Sequence, residues 1–207
     1  MKNIIDISIP LNNETECYKG DPVFGFEKTF QLATGDDFNL SKFNMGMHTG
    51  THVDAPNHFL RNGRTAEAID LEVLAGHAQV IQLKKEGAIT VDDLESRLEK
   101  GVKRLIVGTR YGGSRNPRPV SYFTDEASIF LLEKGVKLVG TDSLSVDSTI
   151  SSGYPIHSIF LSAAVIIVEN LDLRNVDSGF YRFICLPLKI VGAEAAPARA
   201  ILEPLNN

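Results

Sequence analysis

The chain has 207 residues, an apolar fraction of 43% and a formal net charge of −5, which together predict one compact domain over residues 1–207. The net negative charge gives no positive surface potential to attract nucleic acid or anionic lipid, so the expected partner is a small molecule. The longest apolar stretch, 160–168, is too short to span a bilayer, and the two cysteines do not define a disulfide framework. We therefore expect a soluble, cytoplasmic protein.

The amino-terminal part of the chain predicts short strands joined by a loop. Residues 3–9 alternate in polarity and predict a strand that Pro10 ends. The following loop contains Tyr18, an aromatic residue with no periodic partner. Residues 26–32 and 39–47 predict two more strands, the second running directly into a histidine-rich segment, so an antiparallel start to the fold is expected.

That segment, 47–59, contains three of the five histidines of the chain and one aspartate. Gly50 and the β-branched residues beside it oppose a helix. In an extended chain His48, His52 and Asp54 share one face, because strand side chains alternate. A straight strand would hold the two histidines roughly 13 Å apart. We therefore expect a bend or bulge at Gly50 that lets them share one ion.

The residue types in this segment indicate a divalent metal centre. Imidazole and carboxylate groups bind zinc and manganese, and no cysteine lies nearby to complete a closed structural zinc site. Asp54 is placed to reach the ion with one oxygen and a second ion with the other, whereas His58, beyond Pro56, is less clearly a ligand. The competing interpretation is a strand and turn whose histidines bond to the backbone, which accounts less well for such a dense cluster.

From residue 78 onward the sequence alternates between strands and helices, which predicts parallel crossovers. The predicted elements are a strand at 78–83, a helix capped by Thr90 and stopped by Gly101, a strand at 104–109, a loop at 111–120, a helix at 124–134 and a strand at 137–141. Ligands in such sheets gather beyond the strand ends. Asp142 and Asp147 are therefore expected either to border the site or to serve as turn and capping residues.

Two further residues are candidates for the metal centre. His157 lies at a predicted helix start, and Glu169 directly follows a buried apolar run. They could converge on an ion, although a surface histidine and a capping glutamate are the commoner arrangement. Beyond them, 180–186 and 188–191 predict two strands broken at Pro187, ahead of a tail rich in glycine, alanine and proline.

The motif His48-x-Gly50-Thr51-His52-x-Asp54-x-Pro56-x-His58, together with the later histidine and glutamate, resembles the cyclase-like family of metal-dependent hydrolases. The likeness covers nearly the whole chain and includes the turn at 20–22 and the segment 140–143. The resemblance implies an α/β domain of the swivelling β/β/α type, with a mixed sheet and packed helices. It also implies association into a homodimer or a higher homo-oligomer.

Carried onto matching positions, the resemblance implies two divalent metal ions, with zinc favoured and manganese as the alternative. One ion would be bound by His48, His52 and Asp54, and the second by Asp54, His157 and Glu169. His58 would be the proton-transfer residue. Tyr18 would border the substrate, at a place where the formamide-cleaving members of the family tend to carry tryptophan.

The reaction that the resemblance implies is hydrolysis of an aryl formamide, such as N-formylkynurenine in tryptophan degradation, by metal-activated water. The nearest alternative is the same chemistry on a cyclic amide, imide or lactone, because these substrates need the same metals and base. A catalytically idle metal-binding domain is a third interpretation. A purely structural site, however, would have no use for the additional His58.

Overall fold

The computed structural model describes residues 4–109, 121–148 and 153–205, so the predicted loop at 111–120 lies outside the described residues. The strands are β1 (Ile5–Asp6), β2 (Gly25–Phe30), β3 (Leu40–Asn44), β4 (His52–Asp54), β5 (Ala75–Gln82), β6 (Gly87–Ile89), β7 (Arg104–Gly108), β8 (Ser121–Phe123), β9 (Leu138–Thr141), β10 (Ile166–Glu169), β11 (Gly179–Pro187) and β12 (Ala195–Pro204). The α-helices are α1 (Leu71–Leu74), α2 (Val91–Glu95), α3 (Asp125–Glu133) and α4 (Pro155–Ser162). Within these ranges, every helix is too short or too polar to cross a bilayer.

The main sheet is mixed and closes on itself. Eight of the described strands follow the order β1-β12-β11-β5-β7-β9-β10-β4, and β12 pairs with β4 as well. The run β5-β7-β9-β10 is parallel, as the predicted crossovers require. The strands that complete the ring, β11, β12 and β4, pair antiparallel. The prediction of an α/β fold with a mixed sheet is confirmed.

The two faces of this sheet bury two separate apolar cores. In β7, Ile106 packs in a core shared by strands from all around the sheet, including β4, β11 and β12. Its neighbours Leu105 and Val107 belong to a second core, to which α2, α3 and α4 contribute. Because both faces are covered, the central strands are continuous apolar runs in the sequence and not alternating ones.

Helices α2 and α3 begin where the sequence predicts. The Thr124 hydroxyl accepts a hydrogen bond from the Ala127 N–H (3.1 Å) and caps α3. Thr90 and Asp93 form a capping box at the start of α2, in which the Asp93 carboxylate accepts from the Thr90 N–H (2.8 Å). Local side-chain chemistry therefore determines both starts.

Helix α2 ends earlier than predicted because a side chain from β5 forms hydrogen bonds with the backbone groups that follow it. Gln79 donates from Nε2 to the Arg97 carbonyl (2.7 Å) and accepts from the Glu99 N–H (2.9 Å). These hydrogen bonds satisfy the backbone without further helical turns. The predicted continuation to Gly101 is therefore wrong, and the helix stops at Glu95.

The carboxyl-terminal prediction is wrong in one strand. Residues 188–191 form a turn region, with Leu188 51% and Val191 83% exposed, and the predicted tail contains the longest described strand, β12. Ala195 and Ala196 are fully buried where β12 lies against β4. Small residues permit this close packing but carry little strand signal in the sequence.

Strands β2 and β3 form a separate two-stranded antiparallel sheet, which agrees with the expected antiparallel start. The second strand does not run into the histidine segment as predicted. It ends at Asn44, and a turn closed by a hydrogen bond from the Thr49 N–H to the Gly46 carbonyl (3.2 Å) follows. Phe26 and Phe43, opposite each other in this hairpin, are exposed because the hairpin does not join the main sheet.

We expect Gly63→Ala to lower the free energy of unfolding by about 1–3 kcal/mol. A Cβ at Gly63 would lie 2.5 Å from the Asn57 nitrogen and 2.6 Å from the Pro56 carbonyl oxygen, so the turn that carries His58 must shift. Urea denaturation measures the change. Asn62→Ala, at the exposed neighbouring residue, is the control and should change stability by less than about 0.5 kcal/mol. Equal effects at the two positions would contradict the steric explanation.

Candidate metal centre

Pairing between β4 and β10 brings together predicted ligands from distant parts of the chain. In this register His52 lies opposite Glu169, and Asp54 lies opposite Ile167. Directly opposed residues share one face of a sheet, so His52, Asp54 and Glu169 project to the same side. Helix α4 packs on that side, in the core that contains Ile167, and places His157 beside them.

The chain bends at Gly50, as the spacing of the motif requires, but as a turn and not as a bulged strand. Gly50 has φ of +71°, a left-handed conformation that favours glycine, and a Cβ there would also require the Leu11 side chain to move. The prediction of an extended chain is wrong for His48, which lies in the turn, because the strand begins only at His52. The turn, and not strand alternation, brings His48 to the site.

The carboxylate of Asp54 lies at the centre of the cluster and is fully buried. Its Oδ1 is 3.0 Å from His48 Nδ1 and 3.3 Å from His52 Nε2, and its Oδ2 is 3.4 Å from His157 Nε2. Two ligand atoms on one tetrahedral ion, each bonded at about 2.0–2.1 Å, are roughly 3.3 Å apart. The separations around Asp54 therefore match those of ligands that share cations.

Glu169 adds a second buried carboxylate to the cluster. Its Oε2 lies 3.4 Å from His52 Nε2, and its Oε1 lies 3.3 Å from His157 Nε2. The Val146 N–H donates a hydrogen bond to Oε1 (2.8 Å), which fixes the carboxylate from the side of the β9–α4 connection. Glu169 is therefore held between two imidazoles and is neither exposed nor a helix cap.

Each of the three imidazoles has its second ring nitrogen beside an oxygen atom. His52 Nδ1 donates to the Gly50 carbonyl (2.9 Å), and His157 Nδ1 donates to Asp147 Oδ2 (2.5 Å). His48 Nε2 lies 3.5 Å from Glu194 Oε1. A nitrogen that faces a carbonyl or carboxylate carries a hydrogen, so the other nitrogen of each ring, which faces Asp54 or Glu169, is the one at which a metal ion can replace a proton.

The structure separates the two aspartates that were expected near the strand ends. Asp147 borders the cluster through His157 and also accepts hydrogen bonds from the first turn of α4. Asp142 accepts from the N–H and the hydroxyl of Thr109 (both 2.9 Å), a tertiary contact that joins the segments after β7 and β9. Glu194 was not predicted, since it reaches the site only through the pairing of β12 with β4, which its position in the sequence does not reveal.

Three buried atoms in the cluster have no hydrogen-bond partner among the described residues: His52 Nε2 and the two Asp54 oxygens. Such groups cost about 1–3 kcal/mol each if left unpaired. Ligand atoms of His48, Asp54 and His58 lie within 4.8 Å of one another, as do those of His52, Asp54 and Glu169. The types and separations of these side chains are therefore suitable for binding a divalent metal ion.

The electrostatics of the cluster are those of a cation site. Burial opposes a charge on His52 and His157, but Asp54 raises the pKa of His52 to about 10 and Glu169 raises that of His157 to about 12. Burial also opposes the carboxylate charges, yet the imidazoles hold the pKa of Asp54 well below its usual range and lower that of Glu169. Protons and metal ions therefore compete for the same nitrogens.

His58 lies in the short 3₁₀ turn Pro56–His58 at the edge of the cluster. Its ring centroid is 4.2 Å from that of His48 and 5.6 Å from that of His157. Burial lowers the pKa of His58 to about 4, so its imidazole is neutral at neutral pH and has a free lone pair.

A cavity of about 220 Å³ opens over these side chains. Aromatic rings of Tyr18, Phe59 and Tyr154 line it, and its polar part comprises the imidazoles, Glu169, Asp21 and Ser145. The Tyr154 hydroxyl lies 3.4 Å from that of Tyr18, and this contact together with burial raises the pKa of Tyr18 to about 12. Sequence reasoning identified Tyr18 but not Phe59, which directly follows the histidine motif, or Tyr154, which precedes the first residue of α4.

The fold and the cluster together define a metal-dependent enzyme of the α/β class, and comparison with known proteins gives its family. A family model described as "Putative cyclase" matches residues 5–148. The kynurenine formamidases of Bacillus cytotoxicus and Bacillus mycoides are 36% and 34% identical to the chain over 203 residues, which is 97% of the chain and 97% of each relative. The chain belongs to the cyclase family of metal-dependent hydrolases, as its histidine motif predicts.

Solved structures have the same fold. A protein described as a potential metal-dependent hydrolase with cyclase activity matches with a TM-score of 0.84 and 29% identity, over 100% of both chains. Isatin hydrolase A from Ralstonia solanacearum has a TM-score of 0.83 at 22% identity, over 98% of this chain and 92% of its own. The second likeness is one of fold alone. The protein is thus an enzyme, a metal-dependent hydrolase.

We expect Asp54→Ala to bind no divalent metal, because this residue contributes both of its oxygens to the cluster. Elemental analysis after incubation with zinc and removal of unbound metal measures the content. Asp125→Ala makes the same charge change on the exposed first turn of α3 and should keep the wild-type content. Full occupancy in Asp54→Ala would show that Asp54 does not bridge two ions.

Proposed function

We propose that the enzyme hydrolyses an aryl formamide, such as N-formylkynurenine, with two divalent metal ions, zinc first and manganese as the alternative. The observation that carries the proposal is an aromatic-lined cavity over a buried carboxylate whose two oxygens face different imidazoles. The names of the relatives at 34–36% identity, matched over 97% of their length, support an amide substrate of this kind.

The proposed ligands are His48, His52 and Asp54 for one ion, and Asp54, His157 and Glu169 for the other. Their separations of 3.0–3.4 Å support this division, since Asp54 Oδ1 faces the first two histidines and Oδ2 faces His157. When bound, the ions supply Lewis acidity that lowers the pKa of a water molecule and polarises a carbonyl group.

In the proposed reaction, water attacks the formyl carbon, the C–N bond breaks, and formate and a free aryl amine are released. His58 accepts the proton that the attacking water gives up and delivers it to the leaving nitrogen. Two features support this assignment. The ring lies beside the cluster and lines the cavity, and among the described residues no carboxylate forms a hydrogen bond with its nitrogens, unlike His157 Nδ1.

The aromatic wall of the cavity supports a planar aryl substrate. Tyr18 and Tyr154 have ring centroids 6.2 Å apart, and Phe59 is 5.6 Å from Tyr154, so the three rings form one continuous surface. Aromatic pairs contribute about 0.5–1.5 kcal/mol beyond burial of area. The two phenol hydroxyl groups place a polar edge on this wall, which suits a substrate with polar groups on its ring.

A turnover screen tests the proposal. N-formylkynurenine, isatin and simple lactones are offered separately to protein reconstituted with zinc and with manganese, and Asp54→Ala serves as the inactive control. We expect turnover of the formamide. Activity on a cyclic amide or lactone but not on N-formylkynurenine, with either metal, would replace the formamidase assignment by ring opening.

The predicted assembly and location stay predictions: a homodimer or a larger homo-oligomer, in the cytoplasm. The exposed Phe26 and Phe43 of the β2–β3 hairpin are the kind of surface that association buries. Sedimentation velocity of the purified chain measures the assembly, and a monomer at micromolar concentration would contradict the prediction.

We expect His58→Ala to lower kcat by about 10²–10⁴-fold while metal content stays near that of wild type. The reason is that proton transfer is lost while the other ligands keep their positions. Steady-state kinetics combined with elemental analysis separates the two effects. Loss of metal in parallel with activity would instead make His58 a ligand, as its grouping with His48 and Asp54 also permits.

We expect Tyr18→Ala to raise KM for N-formylkynurenine by roughly 3–10-fold with a smaller effect on kcat, because the ring contacts substrate in both ground and transition states. Tyr18→Trp should preserve or improve turnover. Tyr122→Ala, at a partly buried tyrosine of β8 away from the cavity, is the matched control and should leave KM unchanged. A drop in kcat without a change in KM would contradict a role in substrate binding.

A further inference from the structure

Asp147 makes more contacts than a helix cap needs. It is 3% exposed and accepts three hydrogen bonds from the first turn of α4. Oδ1 accepts from the Ile156 N–H (2.8 Å), and Oδ2 accepts from the N–H (3.1 Å) and from the ring Nδ1 (2.5 Å) of His157. One carboxylate thus fixes both the backbone and the imidazole of the same residue.

The contact to the ring has a chemical consequence at its other nitrogen. A carboxylate that accepts from Nδ1 keeps a hydrogen there, so a metal ion that displaces a proton from this ring binds at Nε2. Nε2 lies 3.4 Å from Asp54 Oδ2 and 3.3 Å from Glu169 Oε1. The tautomer that Asp147 selects is therefore the one that presents a ligand atom to the cluster.

The other imidazoles of the cluster have weaker partners. His52 donates to a backbone carbonyl, which is neutral, and His48 lies 3.5 Å from Glu194, whose side chain is 40% exposed. Asp147 alone among these three partners is a buried carboxylate. Asp147 also follows Val146, whose N–H donates to Glu169, so two neighbouring residues of one segment hold His157 and Glu169.

We propose that Asp147 is a positioning residue that sets the tautomer and the orientation of His157 for divalent metal. The proposal rests on the proposed function, because it takes His157 as a ligand. Partners of ligating histidines typically change metal affinity by about 10–100-fold when they are replaced. A residue that served only as a helix cap would change stability and leave affinity unaltered.

Asp147→Asn tests the proposal, with Asp93→Asn as the matched control. Asp93 is also a carboxylate in the capping arrangement of a helix start, at α2, but within the described part of the chain it contacts Thr90 and Lys85 and no histidine. Zinc affinity is measured by competition with a chromogenic chelator, and the site is also filled with cobalt for its visible spectrum. We expect about 10–100-fold weaker zinc binding and an altered cobalt spectrum for Asp147→Asn, with neither change for Asp93→Asn.

A double-mutant cycle shows whether the effect passes through His157. In a His157→Ala background, Asp147→Asn should cause no further loss of zinc affinity. Where Asp147→Asn does not fold, Asp147→Ser keeps a capping hydroxyl without the carboxylate and is measured in the same way.

The possible results separate this inference from the proposed function. Zinc binding by Asp147→Asn and by Asp147→Ser that equals wild type would overturn the positioning role and leave the function intact. An additive loss in the His157→Ala background would overturn it as well. Failure of the wild-type chain to bind zinc, manganese or cobalt would overturn the proposed function itself. None of these measurements requires the substrate to be known.

Discussion

A carboxylate without access to solvent, that of Asp54, constrains the structure around it. Bringing a charged carboxylate into a protein interior costs several kcal/mol unless cations or hydrogen bonds compensate. In this protein the compensation comes from imidazoles on three separate segments: the turn at His48, strand β4 at His52 and helix α4 at His157. The placement of these segments relative to one another is therefore tied to the charge of a single side chain.

Closure of the sheet makes this burial possible. Strand β4 is only His52–Asp54, yet it pairs with β10 on one side and with β12 on the other, so neither of its edges is open. The buried alanines of β12 let the two strands lie together, and the same pairing brings Glu194 within reach of His48. The last segment of the chain thus completes a site whose main motif lies in the first third.

The cavity has the charged cluster as its floor and aromatic rings as its wall. Tyr18 comes from the loop before β2, Phe59 follows the histidine motif, and Tyr154 precedes α4. Tyr154 has φ of +49°, a conformation that costs a residue with a side chain about 1–3 kcal/mol. The histidine cluster and the aromatic wall of the cavity are therefore supplied by the same short segments, so a shift of the turn at Pro56–His58 or of α4 would alter both.

The sequence by itself indicated the family, the cluster residues His48, His52, Asp54 and His58, the antiparallel start, the parallel middle of the sheet and the starts of α2 and α3. These depend on local signals: a dense ligand motif, apolar runs and capping residues at fixed spacing. The end of α2 could not be predicted, because Gln79 from another strand takes the backbone groups of Arg97 and Glu99. Tertiary structure alone decided that β12 closes the sheet and that Glu194 meets His48. The convergence of His157 and Glu169 on Asp54 was implied by the family resemblance and not by any local pattern. Each of these contacts joins residues far apart in the chain, and their geometry follows from strand register and packing, which no local pattern of residues encodes.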